Sequence, residues 1–355
     1  MSKTTSIPGQ EVAFATQRTP PPGSPRMDFW AVVLAGGEGV RLRSLVRSAL
    51  GDERPKQYVP IFGGRTLLGQ TLDRVGIGFA VDRTIVVTME QHAGYTAQEF
   101  IRAPHPHIFA QPADRGTAAA ILAPTSEIAR RDPDATVAVF PSDHYIPSDD
   151  AFMAHVAEVG AWIDAHPARI VLLGAQPTEP EVEYGWIEPG ENLGDVSTGP
   201  IRAVRQFWEK PSVARARACL EAGHLWNTSV LVGKVATLVQ TGWQALPALS
   251  DRLAHIEPFV GTPEEADAVR QAYELMPRAN FSKEVLEKAA DSLAVSRLPR
   301  IVWSDLGSPH RVMEALTRMR IRPEWALQAA TTLDGALQAE ATTRGTGRSG
   351  GVSVT

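Results

Sequence analysis

The strongest constraint on what this chain can fold into is an alternation. Short apolar runs rich in β-branched residues, at 29–34, 84–88, 136–140 and 170–173, take turns with longer segments of helical periodicity at 66–74, 117–131 and 151–166. Runs of that length bounded by turn residues predict buried strands, because a strand covered on both faces needs no polar alternation. Strands that alternate with helices predict an α/β fold whose parallel sheet is joined by right-handed crossovers. Ligands of such sheets bind outside the carboxyl ends of the strands.

Beyond residue 173 the rhythm changes. Residues 184–187, 201–209 and 225–232 predict strands separated by polar, glycine-rich loops, with a helix around 212–222, and are expected to carry the far wall of a cleft. Residues 246–322 predict a mostly helical part interrupted by strands at 293–298 and 300–303. The expected fold class is therefore α/β: a Rossmann-like mixed, mainly parallel sheet covered by helices, with a smaller mostly helical C-terminal part. Residues 1–27, rich in Pro, Ser and Thr, are expected to be a disordered tail and residues 28–245 the core. Residues 246–322 are expected to complete the site, and residues 323–355 to form a helical or disordered tail. No internal repeat is visible, which leaves solenoids and propellers without support.

Composition narrows the function classes. With 43% hydrophobic and 21% charged residues, the chain is neither collagen-like, coiled-coil nor wholly disordered. Its 35 basic residues face 40 acidic ones, so no basic field exists to attract nucleic acid. The single cysteine, Cys219, excludes an intrachain disulfide and a multi-cysteine metal site, and a reducing, cytoplasmic setting is expected. No apolar run approaches the ~20 residues that cross a bilayer, and the first residues lack the apolar stretch of a signal peptide. A soluble protein with neither a membrane nor a nucleic-acid partner is expected.

Directly after the first predicted strand comes Ala35-Gly36-Gly37-Glu38-Gly39-Val40-Arg41-Leu42. Glycines at a strand's carboxyl end let backbone N–H groups approach an anion, so phosphate is the natural ligand, although the loop alone also fits a plain tight turn. Leu42 stands where the dinucleotide-binding fingerprint needs its third glycine, which counts against a dehydrogenase. No GxxxxGKS or GxxxxGKT run occurs, which removes the P-loop nucleotide hydrolases. Arg41 and the nearby Arg54-Pro55-Lys56-Gln57 add cations. Each alone is an ordinary surface charge, but behind a glycine cradle they suit a triphosphate carrying about four negative charges.

The loop, Arg41 and Pro55-Lys56-Gln57 together resemble the signature region of sugar-nucleotide pyrophosphorylases, the nucleotidyltransferases that activate sugar 1-phosphates. Residues 111–121 (QPADRGTAAAI) are similar to the family's base-side loop, and Pro141-Ser142-Asp143-His144 to its metal-binding turn. Residues 174–187 (GAQPTEPEVEYGWI) resemble its G-x-x-P-T-x-P-E segment running into Y-G-Y-I. Phe207-Trp208-Glu209-Lys210-Pro211 resembles F-x-E-K-P, Leu225-Trp226-Asn227-Thr228-Ser229 resembles L-W-N-S-G, and Trp303-Ser304-Asp305-Leu306-Gly307-Ser308 resembles W-S-D-V-G-S. The resemblance spans roughly residues 29–320 and is strongest to short-form mannose-1-phosphate guanylyltransferases. The long form adds an isomerase domain for which this chain has no room, so a single activity is expected. Val40 replaces a threonine of the pattern, Arg43-Ser44 a W-P pair, Gly116 an asparagine, Ser229 a glycine and Pro309 a tryptophan. These departures spare the phosphate and metal groups and bear on the base and the sugar.

The resemblance implies the nucleotide-diphospho-sugar transferase fold, GTP and a sugar 1-phosphate (mannose 1-phosphate first) as substrates, and Mg2+ (or Mn2+) as cofactor. It implies attack of a sugar phosphate oxygen on the α-phosphorus with release of pyrophosphate. Ala35, Gly36, Gly37, Gly39, Arg41, Lys56, Arg115, Gly116, Thr117 and Ser142 are then expected at the nucleotide. Tyr184, Gly185, Glu209, Lys210, Asn227 and Thr228 are expected at the sugar phosphate, and Asp143 and Asp305 at the metal. Arg41, Lys56, Asp143, Lys210 and Asp305 make up the expected catalytic set.

Without the resemblance, Asp143 and Asp305 also fit turn or N-cap carboxylates, Lys210 a surface lysine, and Asn227 a buried amide serving the backbone. Trp186, Trp208, Trp226 and Trp303 are expected in the core or the cleft wall. His144 is not expected as a ligand, since Mg2+ prefers oxygen. Three alternatives stay open: a heptose 1-phosphate guanylyltransferase, a thymidylyl- or uridylyltransferase for glucose 1-phosphate, and an inactive sugar-nucleotide-sensing subunit. A homodimer is one option for the assembly.

Overall fold

Branched side chains lose little on a pleated surface but crowd a helix, and the Val- and Ile-rich runs accordingly form strands. The computed structural model describes residues 27–101, 105–323, 325 and 326. Its strands are β1 (Trp30–Leu34), β2 (Thr84–Met89), β3 (His107–Gln111), β4 (Thr136–Pro141), β5 (Ile170–Ala175), β6 (Gly185–Val196), β7 (Gly199–Glu209), β8 (Leu225–Lys234) and β9 (Leu293–Arg297). Among the described residues they make one nine-stranded sheet, ordered β3-β2-β1-β4-β8-β5-β9-β7-β6. The first four strands pair in parallel, as do β5 and β9. β8 runs antiparallel to β4, β5 and β6, and β7 antiparallel to β9 and β6. Only β7 and β8 therefore oppose the common direction, which makes the sheet mixed and mainly parallel. The pairing of β6 with Leu225 and Trp226 closes β8, β5, β9, β7 and β6 into a circuit.

Helices α1 (Arg43–Leu50) and α2 (Leu67–Val75) follow β1, α3 (Ala93–Glu99) follows β2, α4 (Gly116–Arg131) follows β3, α5 (Asp149–Ala165) follows β4, and α6 (Val213–Glu221) follows the consecutive strands β5, β6 and β7. Then come α7 (Val235–Ala245), α8 (Pro247–Ala254), α9 (Glu265–Leu275), α10 (Phe281–Glu284) and α11 (Pro309–Met319). Period-2 alternation in the strands sends side chains to opposite faces. Ala31 and Val33 join Leu68 of α2 and Phe152, Val156 and Ile163 of α5 on one face. Trp30 and Val32 join Leu122 of α4, Leu238 of α7 and Leu249 of α8 on the other. Each fully buried branched side chain stabilises the layers by about 1.5–3 kcal/mol relative to exposure.

A third apolar cluster decides where function can sit. Leu42, Leu45 and Val46 at the start of α1 pack with Val59, Ile61 and Phe62 and with Leu306, Val312, Ala315 and Leu316 from the C-terminal part. This contact holds α11 against the segment that follows the glycine-rich loop. Residues 300–303, expected as a strand, do not form one: Arg300, after Pro299, has a left-handed backbone (φ 49°) that breaks the extended run. In its place Ser304 makes a single bridge to Tyr145, with N–O distances of 2.8 and 3.2 Å.

The expected tail 1–27 lies outside the described residues except Met27, which is buried and donates its N–H to the Gly78 carbonyl at 2.9 Å. The tail expected over 323–355 likewise lies outside them except for 323, 325 and 326. Leu316→Ala removes a side chain that is 2% exposed from the third cluster. Denaturant unfolding should show a loss of about 2–5 kcal/mol.

Candidate active site

The loop after β1 is shaped by the protein before any ligand arrives. Ala35 N–H continues the β1–β2 ladder to the Val87 carbonyl at 2.7 Å, and the buried Gln57 side chain donates to the Ala35 and Gly37 carbonyls at 2.7 and 2.9 Å. Gly39 turns through φ 62°, and a Cβ there would lie 2.8 Å from the Lys56 backbone nitrogen. Only glycine lets the loop lie this close to Lys56. Gly36 and Gly37 are thereby set beside Pro55-Lys56-Gln57. Ser142, at the end of β4, fixes the neighbouring strand end by donating its hydroxyl to the Leu34 carbonyl at 2.7 Å.

Lys56 is the hub. Its side chain is 7% exposed, and its ammonium lies 2.9 Å from Asp143 Oδ2 and also donates to the backbone carbonyl of Asp305. Burial opposes ionisation of Asp143, yet the Lys56 charge, the neighbouring His144 and the hydrogen bond from Lys56 outweigh it and hold the carboxyl below its usual range. Burial also pushes the His144 imidazole down. The Trp303 indole donates to His144 Nδ1 at 3.2 Å, which leaves Nε2 facing Asp143 Oδ1 at 3.7 Å.

Asp305 is held from several sides. Its Oδ1 accepts from Tyr184 O–H at 2.6 Å, Gly307 N–H at 2.8 Å and Arg311 Nη1 at 3.2 Å. Its Oδ2 faces Arg41 Nη2 at 3.4 Å. Burial and the Asp305 charge raise the Tyr184 phenol, which stays a donor. Arg311 also pairs with Glu181 and lies over the Tyr184 ring, 4.5 Å from its centroid.

On the opposite wall, Gly185 and Glu209 are cross-strand partners in β6 and β7. Glu209 is raised by burial and by the nearby Glu287 and Glu183, against the lowering effect of Lys210. Lys210 has φ 50° and reaches Glu183 Oε2 at 3.4 Å. Asn227 is 5% exposed, and its Oδ1 accepts from Ser229 N–H at 3.1 Å. Thr228, fully buried, donates its hydroxyl to the Leu173 carbonyl at 2.7 Å, so its side chain serves the sheet. Trp186 and Trp226 are buried, and Trp303 is 9% exposed.

Arg115, Gly116 and Thr117 open α4 at the far side and dock onto the segment 273–281. Arg115 donates to the Tyr273 carbonyl and, at 2.9 Å, to that of Glu274, which caps the C-terminal end of α9. Gly116 has φ 81°, and a Cβ there would fall 2.2 Å from the Ala279 carbonyl oxygen. Any side chain is excluded, so the departure from asparagine follows from this local packing. Thr117 Oγ1 accepts from Phe281 N–H at 2.9 Å.

Among the described residues no group of three or more His, Cys, Asp or Glu is arranged to hold a metal ion. Asp143, with a side chain 33% exposed, and the less encumbered Oδ2 of Asp305 supply hard oxygens beside one ammonium. That donor set fits Mg2+ of the kind held by one or two carboxylates and completed by substrate phosphates and water.

A family profile described as nucleotidyl transferase matches residues 30–320. The chain belongs to that family. A Sinorhizobium fredii protein named mannose-1-phosphate guanylyltransferase is 32% identical over 284 residues, covering 78% of this chain and 52% of the relative. A xanthan biosynthesis protein of Xanthomonas campestris is 31% identical over 79% of this chain and 58% of its own length. The chain thus spans little more than half the length of these nucleotidyl transferase relatives. A crystal structure from Thermus thermophilus, titled mannose-1-phosphate geranyltransferase, superposes with a TM-score of 0.69 at 29% identity, covering 81% of this chain and 79% of that one. No helix among the described residues is long and apolar enough to cross a membrane.

Sequence reasoning gave no role to Glu181, Glu183 or Arg311, although Glu181 closes the G-x-x-P-T-x-P-E segment, Glu183 directly precedes Tyr184 and Arg311 follows the WSDLGS stretch. The ion pair at the hub makes a pH-dependent prediction. Asp143 is depressed in the folded protein, so its stabilising contribution is complete above its unfolded value, about 3.9, and is lost as pH falls through the lower folded value. Lys56→Met strands a carboxylate that burial then pushes upward. The variant should lose about 2 kcal/mol at pH 7, and the gap in melting temperature from the parent should shrink as pH falls toward about 4. A gap constant across that range in calorimetry contradicts the pairing.

Proposed function

We propose that this nucleotidyl transferase moves a guanylyl group from GTP to mannose 1-phosphate, giving GDP-mannose and pyrophosphate. The observation that carries the reading is the gathering of Arg41, Lys56 and Lys210 around Asp143, Glu183 and Asp305, beyond the carboxyl ends of β1 and β4. Two polyanions can meet only where cations offset their repulsion. The relatives' names support the choice of base and sugar.

The chemistry asks little of the protein beyond position. A phosphate monoester has its second pKa near ~6 and is mostly dianionic at neutral pH, so its oxygen attacks without a protein base. A new bond forms from that oxygen to the α-phosphorus as the bond to the β-phosphate bridging oxygen breaks, and pyrophosphate leaves. The glycine-rich loop and Arg41 hold the triphosphate, while Lys56 balances charge as it moves onto the leaving group. Lys210 holds the sugar phosphate, with Glu209 and Asn227 oriented toward sugar hydroxyls. Asp143 and Asp305 would hold Mg2+ or Mn2+, which, when bound, withdraws charge from phosphate oxygens.

Pyrophosphate release over four nucleoside triphosphates crossed with mannose, glucose and heptose 1-phosphates tests the reading. GTP with mannose 1-phosphate should give the highest kcat/KM; a heptose or glucose optimum, or no release in any pair, rejects it. Asp143→Asn keeps the shape but removes one charge. Its turnover should fall about a hundredfold or more, with saturation shifted to higher Mg2+, and its melting temperature should drop because the buried Lys56 loses its counter-charge, while the chain still folds.

A further inference from the structure

One carboxylate stands where neither the resemblance nor the mechanism requires one. Glu183 Oε2 lies 3.5 Å from Arg41 Nη1 and 3.4 Å from Lys210 Nζ. The same oxygen bridges two cations assigned to different substrates, as a phosphate oxygen would. Glu183 is not a loose surface residue. Its backbone N–H donates to Glu181 Oε1 at 2.7 Å, and Glu181 is anchored by Arg311. The next residue, Tyr184, donates to Asp305 and accepts from Lys210 N–H at 3.3 Å. Lys210 itself is held at φ 50°, a backbone strain that persists only where its surroundings enforce it.

We propose that Glu183 is a positioning residue that couples the two substrate sites: in the free protein it ties Arg41 to Lys210, and the phosphate of either substrate displaces it and frees the second cation. The proposal rests on the reading of Arg41 as a nucleotide contact and Lys210 as a sugar phosphate contact. Each substrate alone binds against competition from the carboxylate, and its own negative charge adds repulsion. Once the first has displaced Glu183, the second meets an unpaired cation. The coupling is reciprocal by linkage. All three side chains are about half exposed, with relative values of 53%, 52% and 47%, so each pair is weak. The effect is therefore a modulation of roughly threefold to tenfold, which exposed pairs of this kind can supply.

Isothermal titration of the parent chain, Glu183→Gln and Glu183→Asp tests this, with melting temperatures as the check on folding. The probes are GTP, mannose 1-phosphate, mannose 1-phosphate in the presence of a non-hydrolysable GTP analogue, and inorganic pyrophosphate. Glu183→Gln should bind each probe alone about threefold to tenfold more tightly, and the tightening of mannose 1-phosphate by the analogue should shrink by the same factor. Glu183→Asp, which keeps the charge, should stay closer to the parent. Unchanged affinities and unchanged coupling in a folded Glu183→Gln, or weaker binding of either substrate, overturn the proposal. If the parent chain binds neither GTP nor mannose 1-phosphate, it is the substrate assignment that fails, and pyrophosphate affinity in the two variants still decides the role of Glu183.

Discussion

The site depends on a buried ammonium that the chain cannot leave alone. Lys56 is taken almost entirely from water, a transfer that is unfavourable unless charge and hydrogen bonds are returned from inside the protein. Asp143 returns the charge and the Asp305 carbonyl the second acceptor. Three distant segments, around 56, 143 and 305, are thereby locked to one atom. The two backbone hydrogen bonds between Tyr145 and Ser304 keep the turns that bear both aspartates side by side. Once that lock is made, Tyr184, Arg41 and Arg311 have a fixed carboxylate to gather around.

Backbone strain falls where the chemistry is expected. Of the five non-glycine residues with positive φ among those described, Lys210, Ser229 and Leu306 lie on or beside candidate site residues. Each such residue costs on the order of 1–2 kcal/mol and survives only if its neighbours enforce it. Asn227 Oδ1 accepting from Ser229 N–H, and Asp305 Oδ1 accepting from Gly307 N–H, are the enforcing contacts. Ser229, which departs from the family's glycine, keeps the left-handed geometry that glycine adopts without strain.

The parallel strands were legible because burial on both faces writes a continuous apolar run, and β1, β2, β4 and β5 all lie where such runs occur. β3 was not, because His107–Gln111 pairs on one side only and stays partly exposed, so no apolar pattern marks it. Residues 300–303 failed for the opposite reason. Ile301, Val302 and Trp303 read as a strand, but Pro299 and the turned backbone of Arg300 decide the conformation. The conjunction of Arg41, Lys56, Asp143 and Asp305 came from motif resemblance, since no local property of Asp305 tells that it will meet residues 41 and 56. Tyr184 was expected near the sugar phosphate, and its hydroxyl is committed to Asp305. That commitment is a contact between residues 121 positions apart, which periodicity cannot report.

The third apolar cluster sets an order of assembly. The parallel strands β1, β2, β3 and β4 can pair once the first 141 residues exist, since every partner in that half of the sheet lies within them. Lys56 finds its second acceptor 249 positions later, and Leu42, Leu45 and Val46 wait for Leu306, Val312 and Leu316. Closing a loop of that length adds little entropy beyond a shorter one, but it cannot begin until the far end has been synthesised. During translation at about 5–20 residues per second, the nascent N-terminal half spends many seconds with its central ammonium half-satisfied and an apolar face uncovered. Helix α11 is thus also the cover that ends this exposure.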